Sequence, residues 1–451
     1  MNILRVLSIF ILGAAGLSAA AQTGVDALVK AADAAPKNAA ANLAAGKALL
    51  SEGKTLKAAD YLRKGGNEAQ PWLAQIEFEQ YKFSDAASRA EKYLASKHNA
   101  DSEGHRIAED ILSRGELAST MLDRVEKVIV IDSIVVDKDK FFKAYCIAPT
   151  TGAIVSPAAL PQGFEAASPA TVYVNESSER MIWGEPGKDG KIHLVESNHL
   201  ADGSWEKPHD IGDGLRLGAD ANFPFLLPDG QTLYYASNGE GSLGGYDIYI
   251  TRRDDDGTYL MPTNLGMPYN SPADDYLLAI DEATGAGWWA TDRNLIPGKV
   301  TIYVFVPQEL RDNYPVGETP DLIDRARITS IAATQRPGQD YTKYLEAIAN
   351  TAPAGSRERN DDTFMLSLPD GRVLTSMAGF KSPEAADLMA EYLEAVREYN
   401  AQTEQLAGMR ARYANGRKEL ADDIMAEETE VARQRTLLRT MRNKVIEAEM
   451  Q

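Results

Sequence analysis

Cysteine is almost missing from this chain: among 451 residues only Cys146 is present, so no intramolecular disulfide can staple the fold. The neighbours in "KAYCIAP" suggest the interior of a strand, which makes a buried thiol the expected state rather than a nucleophile. Basic residues are also short, with 47 Lys and Arg against 66 Asp and Glu and a formal net charge of −19. That balance argues against nucleic acid as a partner and against an electrostatic grip on anionic lipid, since both need clustered cations. Histidine is scarce. His98 and His105 fall in an Ala-rich helical region, and His193, His199 and His209 fall among strands. None forms an H-E-x-x-H pair, so surface or strand positions are expected for them rather than a metal centre. No G-x-S-x-G elbow occurs, which removes the nucleophile turn of an α/β serine hydrolase. "DDDG" at 254–257 has no glutamate at a twelfth loop position and reads as a polar hairpin, while "GADAN" offers Asp220 and Asn222 as a weaker candidate for a hard cation. No catalytic, cofactor-binding or metal-ligating residue is therefore assigned.

Long apolar runs are lacking after the first residues, and no transmembrane segment is expected. The start, "MNILRVLSIFILGAAGLSAAAQTG", carries Arg5, an apolar stretch from Val6 to Leu17, and Ala19 and Ala21 before Gln22. It reads as a secretory signal over 1–21, cut after Ala21, with no cysteine there to carry a lipid. The expected location is the periplasm, free or associated with the outer membrane.

Residues 22–127 are rich in Ala, Leu, Lys and Glu with short Gly or Asn breaks, the pattern of successive helices. Two segments look alike, and their Ala58-Ala59 and Ala86-Ala87 pairs are offset by 87 − 59 = 28. Gly46, Ala58, Ala74 and Ala86 supply the small side chains that close helix packing needs. These hairpins resemble the tetratricopeptide repeat, which implies a surface that binds partner proteins.

From Val128 the texture changes to β-branched and aromatic alternation, and an internal repeat appears. Trp205 aligns with Tyr259, Pro208 with Pro262, Gly212 with Gly266, Asp220 with Asp274, and Tyr235 with Trp289, always at the same step (289 − 235 = 54). Four short strands per unit at a fixed period are the sign of propeller blades. The stretch "LLPDGQTLYYASNGEGSLGGYDIYITR" resembles the WD40-like repeat of bacterial periplasmic propellers of the TolB type. It does so at Pro228, Asp229, Gly230, Leu233, Tyr235, Ser237, Asn238, Gly244, Gly245, Asp247, Ile248 and Tyr249, all taken as structural. The two glycines are expected to supply positive φ and close backbone approach, and Asp247 to accept backbone hydrogen bonds. Three units do not close a ring, so blade material is also expected from the flank before the repeats and from 362–380, which has its own Pro369-Asp370-Gly371. Together these define a propeller over 128–380, with a connector at about 308–361 packed on it.

From 381 to 451 the chain reads as helix. Tyr392, Tyr399, Leu406, Tyr413 and Leu420 recur every seven residues, as do Ile424, Val431, Leu438 and Val445, with a break at Asn415-Gly416. A coiled coil or a helical hairpin fits, and self-association through this segment is a further expectation. The fold class is thus multidomain α and β: helical hairpins, a propeller and a C-terminal helical segment. The order of signal, hairpins and blades is similar to that of cell-envelope proteins of the Bacteroidota, without their OmpA-like domain. The resemblance implies a non-catalytic periplasmic scaffold that meets envelope proteins through its repeats and propeller. The alternative left open is a propeller that binds or cleaves polysaccharide, for which carboxylates and aromatics clustered at the axis would be the signature.

Overall fold

The computed structural model describes residues 19–97, 102–296, 298–317, 319, 322–336, 339–351, 366–368, 373–374, 377–414 and 417–450. The chain divides into two units, Met1–Arg357 and Glu358–Gln451. The expected signal lies mostly outside the described residues, and its cleavage point after Ala21 falls in the first helix.

The first unit starts with six helices: α1 (Ala19–Ala34), α2 (Ala39–Ser51), α3 (Thr55–Leu62), α4 (Gln70–Glu79), α5 (Phe83–Leu94) and α6 (Glu103–Leu122). Asn38 caps α2 through the Ala41 amide, and Ser102 caps α6 through that of His105. The starts of α3 and α5 keep the offset of the Ala-Ala pairs, 83 − 55 = 28. Ala58, Ala74 and Ala86 are fully buried, and a Cβ on Gly46 would stand 2.6 Å from Leu62 Cγ. Small residues thus sit where neighbouring helices touch, and Trp72, Phe78, Phe83 and Tyr93 fill the space between them.

The strands that follow are β1 (Ile129–Asp137), β2 (Ala153–Val155), β3 (Val172–Val174), β4 (Arg180–Pro186), β5 (Ile192–Asn198), β6 (His209–Asp210), β7 (Ala221–Leu226), β8 (Thr232–Ser237), β9 (Asp247–Arg252), β10 (Thr263–Asn264), β11 (Asp275–Asp281), β12 (Ala286–Thr291) and β13 (Lys299–Val306). They form three antiparallel sheets, ordered β2-β3-β4-β5-β6, β7-β8-β9-β10 and β11-β12-β13-β1, and none closes into a barrel. The first sheet packs on β7 and the second on β11.

The sequence period is kept in backbone detail. The strands β7 and β8 begin at 221 and 232, and β11 and β12 begin one period later at 275 and 286 (275 − 221 = 286 − 232 = 54). The first strands of the two units, β7 and β11, bulge at the same place, between Asn222 and Phe225 and between Tyr276 and Ala279. The bulge residues Phe223 (φ 53°) and Leu277 (φ 50°) are both left-handed. Ser197 donates to the Glu206 carbonyl at 2.7 Å, and Thr251, its counterpart one repeat later, donates to that of Leu260 at 2.6 Å. Pro208 and Pro262 precede the two-residue outer strands β6 and β10. A residue without an N–H there discourages pairing with a further chain.

The flank before the repeats supplies β1, which pairs with β13 from Ile129↔Val306 to Asp137↔Lys299 and takes the outer place that β10 holds in the second sheet. The later flank behaves otherwise. Its two short strands, β14 (Leu366–Ser367) and β15 (Val373–Leu374), pair with each other and belong to the second unit, so the described residues of 362–380 are not part of the sheets of the first. Residues 369–371 lie outside the described ones. Leu366, Leu368 and Leu374 bury themselves with Met389 and Val445 of the C-terminal helices, which gives this hairpin an apolar partner of its own.

The connector also departs from expectation. It holds α7 (Leu322–Arg327), α8 (Ile331–Thr334) and α9 (Thr342–Thr351). Ala326 of α7 is buried in the core of α1–α6, α8 packs on β1, and Ile348 of α9 enters the main sheet core. It therefore joins helices to sheets rather than lying on the sheets alone. Cys146 is buried, but in coil rather than in a strand.

In the second unit α10 (Pro383–Ala414) and α11 (Ala421–Met450) form an antiparallel hairpin. The Lys381 and Ser382 amides donate to Glu449 at one end, and Arg410 pairs with Glu428 at 2.7 Å toward the other. Leu406 and Val445 of the seven-residue rows are buried, and Tyr392, Tyr399, Tyr413, Leu420, Ile424, Val431 and Leu438 are half-buried. The rows pair within the chain; the predicted break at 415–416 lies outside the described residues. No described helix is long and apolar enough to cross a membrane.

Candidate functional site

The repeat-signature residues serve as joints. Asp229 accepts from the Gln231 and Thr232 amides at 2.8 Å, and Gly230 turns the hairpin at φ 67°. Asn238 accepts from the Asp220 amide at 2.8 Å, Ser237 from that of Gly239 at 3.2 Å, and the Tyr249 hydroxyl meets Ser242 at 3.1 Å. Asp247 is fully buried and accepts from the amides of Leu243 (2.9 Å) and Gly244 (3.2 Å) and from Asn264 Nδ2 (2.7 Å). Burial raises its pKa from 3.8 to about 7 against the pull of those donors.

Gly244 and Gly245 correct one expectation: neither has positive φ. They are glycines because of crowding alone. A Cβ on Gly244 would stand 2.3 Å from the Ala273 carbonyl oxygen, and one on Gly245 2.0 Å from Asp274 Oδ1. Gly244→Ala would wedge the second and third sheets apart and should cost about 1–3 kcal/mol, read as a lowered urea midpoint with unchanged m.

Just before them, Leu243 is fully buried in the helical core, and Arg114 of α6 donates to its carbonyl at 2.6 Å. The loop is thus a plug joining sheets to helices. Leu243→Ala should destabilise the first unit by about 2–5 kcal/mol, measured by chemical denaturation.

The other candidates scatter. His105 lies 3.2 Å from Glu109, His193 bonds Asp189 (2.8 Å) and Asp210 (3.1 Å), His199 stacks edge-on to Trp205 at 5.1 Å, and His209 lies 3.4 Å from Glu196. His98 lies outside the described residues. Asp254 accepts from the Asp256 and Thr258 amides, closing a hairpin. Asp220 holds the Ile192 amide at 2.9 Å and Asn238 Nδ2 at 3.1 Å, while Asn222 donates to the Pro169 carbonyl at 2.8 Å, so both are used in joining sheets. Among the described residues, no group of three or more His, Cys, Asp or Glu could hold a metal ion.

One cluster combines charge with aromatic surface, at the bulged ends of the edge strands β7 and β11. Phe223 stacks on Tyr276 with centroids 4.9 Å apart, Phe141 meets Tyr276 edge-on at 5.1 Å, and Tyr246 meets Phe223 at 5.7 Å. Tyr276 donates to Asp292 at 2.9 Å, and the Tyr246 amide donates to Asp274 Oδ1 at 3.0 Å. Lys138, just past β1, bonds Asp292, lies 3.8 Å from Asp274 Oδ2 and stands 5.8 Å over the Tyr276 ring. Burial raises the Asp292 pKa, and Lys138 opposes that rise. Phe142 and Tyr246 are half-buried, and Lys138 and Asp274 keep 35% and 26% of their side-chain surface open to water.

Of these residues only Asp274 stood out in the sequence, through its one-period step from Asp220. The aromatic pair in "KDKFFKAY" was a further signal, but nothing local says that Lys138 meets Asp292. No known protein family, no curated protein and no solved structure matches the chain.

Proposed function

We propose that the protein is a non-catalytic scaffold of the bacterial periplasm, exported by its N-terminal signal. Its three sheets act as blades of a WD40-like propeller, and its helical hairpins act as tetratricopeptide-like repeats for envelope proteins. The observation that carries this reading is the use of the repeat's polar and glycine positions: Asp220, Asp229, Asn238, Gly244, Gly245 and Asp247 are spent on joints within and between sheets. A partner-binding role for the helices is supported by Leu28, Leu56 and Leu112, exposed at 40–41% on α1, α3 and α6.

The test is crosslinking in cells of the source bacterium followed by affinity purification of the tagged mature chain. Recovery of defined envelope proteins, lost on Leu56→Asp and Leu112→Asp, is the expected result. Recovery of none, together with polysaccharide turnover by the pure protein, would overturn it.

A second reading, a propeller that binds glycan, is favoured by the cluster of Tyr246, Tyr276, Phe223, Asp274, Asp292 and Lys138, because aromatics and carboxylates meet there at the edge strands.

A further inference from the structure

The two copies of the repeat build the same corner twice, and the differences fall in one place. Where the first sheet meets the second, Asp220 takes the Ile192 amide on one oxygen and Asn238 Nδ2 on the other. Both oxygens of that carboxylate are used, and the Lys191 ammonium beside Ile192 bonds the Gly218 carbonyl at 2.6 Å. Where the second sheet meets the third, Asp274 takes the Tyr246 amide in the same way (246 − 192 = 54). Here, however, Asn238 is replaced by Asp292 and Asn222 by Tyr276, each one period on, and Ile192 by Tyr246.

An amide that donated to the first carboxylate has become a second carboxylate, which cannot donate. Two neighbouring acids in a partly buried corner are unfavourable, and Lys138 from outside the repeat offsets them. A fold that needed only a joint already has one in Asp220 and Asn238. Local departures from a sound structural rule are the places to look for function.

We propose that the corner formed by Lys138, Asp274 and Tyr246 is a binding site for a saccharide ring. This rests on the glycan-binding reading above. Two carboxylates beside one ammonium disfavour an anion, and the ammonium within 3.8 Å of both carboxylates disfavours a metal cation. A neutral ligand that both donates and accepts fits what is left. Asp274 Oδ2 is too far from Lys138 for a hydrogen bond and can accept one, and Lys138 has N–H groups beyond the one given to Asp292. Adjacent hydroxyls of a sugar bridge such a pair, while the half-buried ring of Tyr246 covers its apolar C–H face.

The test titrates the full-length mature protein with maltose, cellobiose and the disaccharide of N-acetylglucosamine, read by calorimetry and ligand-observed NMR. Binding of at least one is expected, weakened about tenfold or more by Tyr246→Ala and by Lys138→Met. It should be unchanged in Met261→Ser, whose side chain is 84% exposed in the segment between β9 and β10. Thermal melts show whether each variant is folded, and Asp274→Asn replaces one that is not. Binding that survives unchanged in the folded variants overturns this site and leaves the glycan-binding reading standing. Binding of none of the three sugars overturns both.

Discussion

Raising the pH from about 4 to about 7 will weaken the first unit, and Asp247→Asn will remove much of that slope. Asp247 is fully buried, and burial lifts its pKa from 3.8 to about 7 in the fold. A carboxyl with a raised folded pKa binds its proton more tightly in the native state, so its contribution is most favourable below the unfolded value. It is lost as pH climbs toward the folded one, at roughly 1.4 kcal/mol per pH unit and on the order of 4 kcal/mol across the window. Asp275, raised from 3.8 to about 6 by burial, acts in the same direction. Urea melts of the parent and of Asp247→Asn at intervals between pH 4 and 8 decide the matter. The variant should gain on the parent as pH rises, and parallel curves would show that Asp247 does not titrate there.

Arg293→Met should be the most damaging single change among the polar residues. The Arg293 side chain is 4% exposed and that of Asp275 0%, with the pair 2.9 Å apart. The same guanidinium donates to the Tyr269 carbonyl at 2.7 Å, to the Ala326 carbonyl of α7 at 3.3 Å and to Thr291 Oγ1 at 3.0 Å. Removing it leaves a buried carboxylate without its cation and frees α7 from the third sheet, a loss of about 3–5 kcal/mol. Asp275→Asn in the same chain should restore part of that, because the penalty is mostly the stranded charge. A double-mutant cycle in urea measures the coupling, and additive losses would contradict the assignment.

Much of the fold was legible because its signals are local. The step between Ala58-Ala59 and Ala86-Ala87 reports where one helix must touch the next, and the structure starts α3 and α5 at that same spacing. The longer step from Pro208 to Pro262 and from Asp220 to Asp274 reports strands that alternate and turn alike. Asp247, read as an acceptor of backbone hydrogen bonds, does accept the Leu243 and Gly244 amides.

Less was legible where distant segments meet. Gly244 and Gly245 were expected to supply positive φ and close backbone approach; only the approach holds, and it is the distant 273–274 backbone and carboxylate that press against them. Pro369-Asp370-Gly371 announces a turn, and a turn signal does not say which core its flanking strands will join. The Leu366–Leu374 pair joined the C-terminal helices because Met389 and Val445 were there to cover it. The candidate site was seen least, since Lys138 and Asp292 lie far apart along the chain and meet only in the folded state.

The amino-acid sequence by itself determined the periods, the helices and strands and the turn residues, because each depends on neighbours within a few turns or strands. Only the tertiary structure decided which sheet β1 completes, that Leu243 and Ala326 lock helices to sheets, and that Lys138, Asp274 and Tyr246 share a corner. Those outcomes depend on which surfaces can bury each other after long loops have closed, and no local pattern of residues encodes that choice.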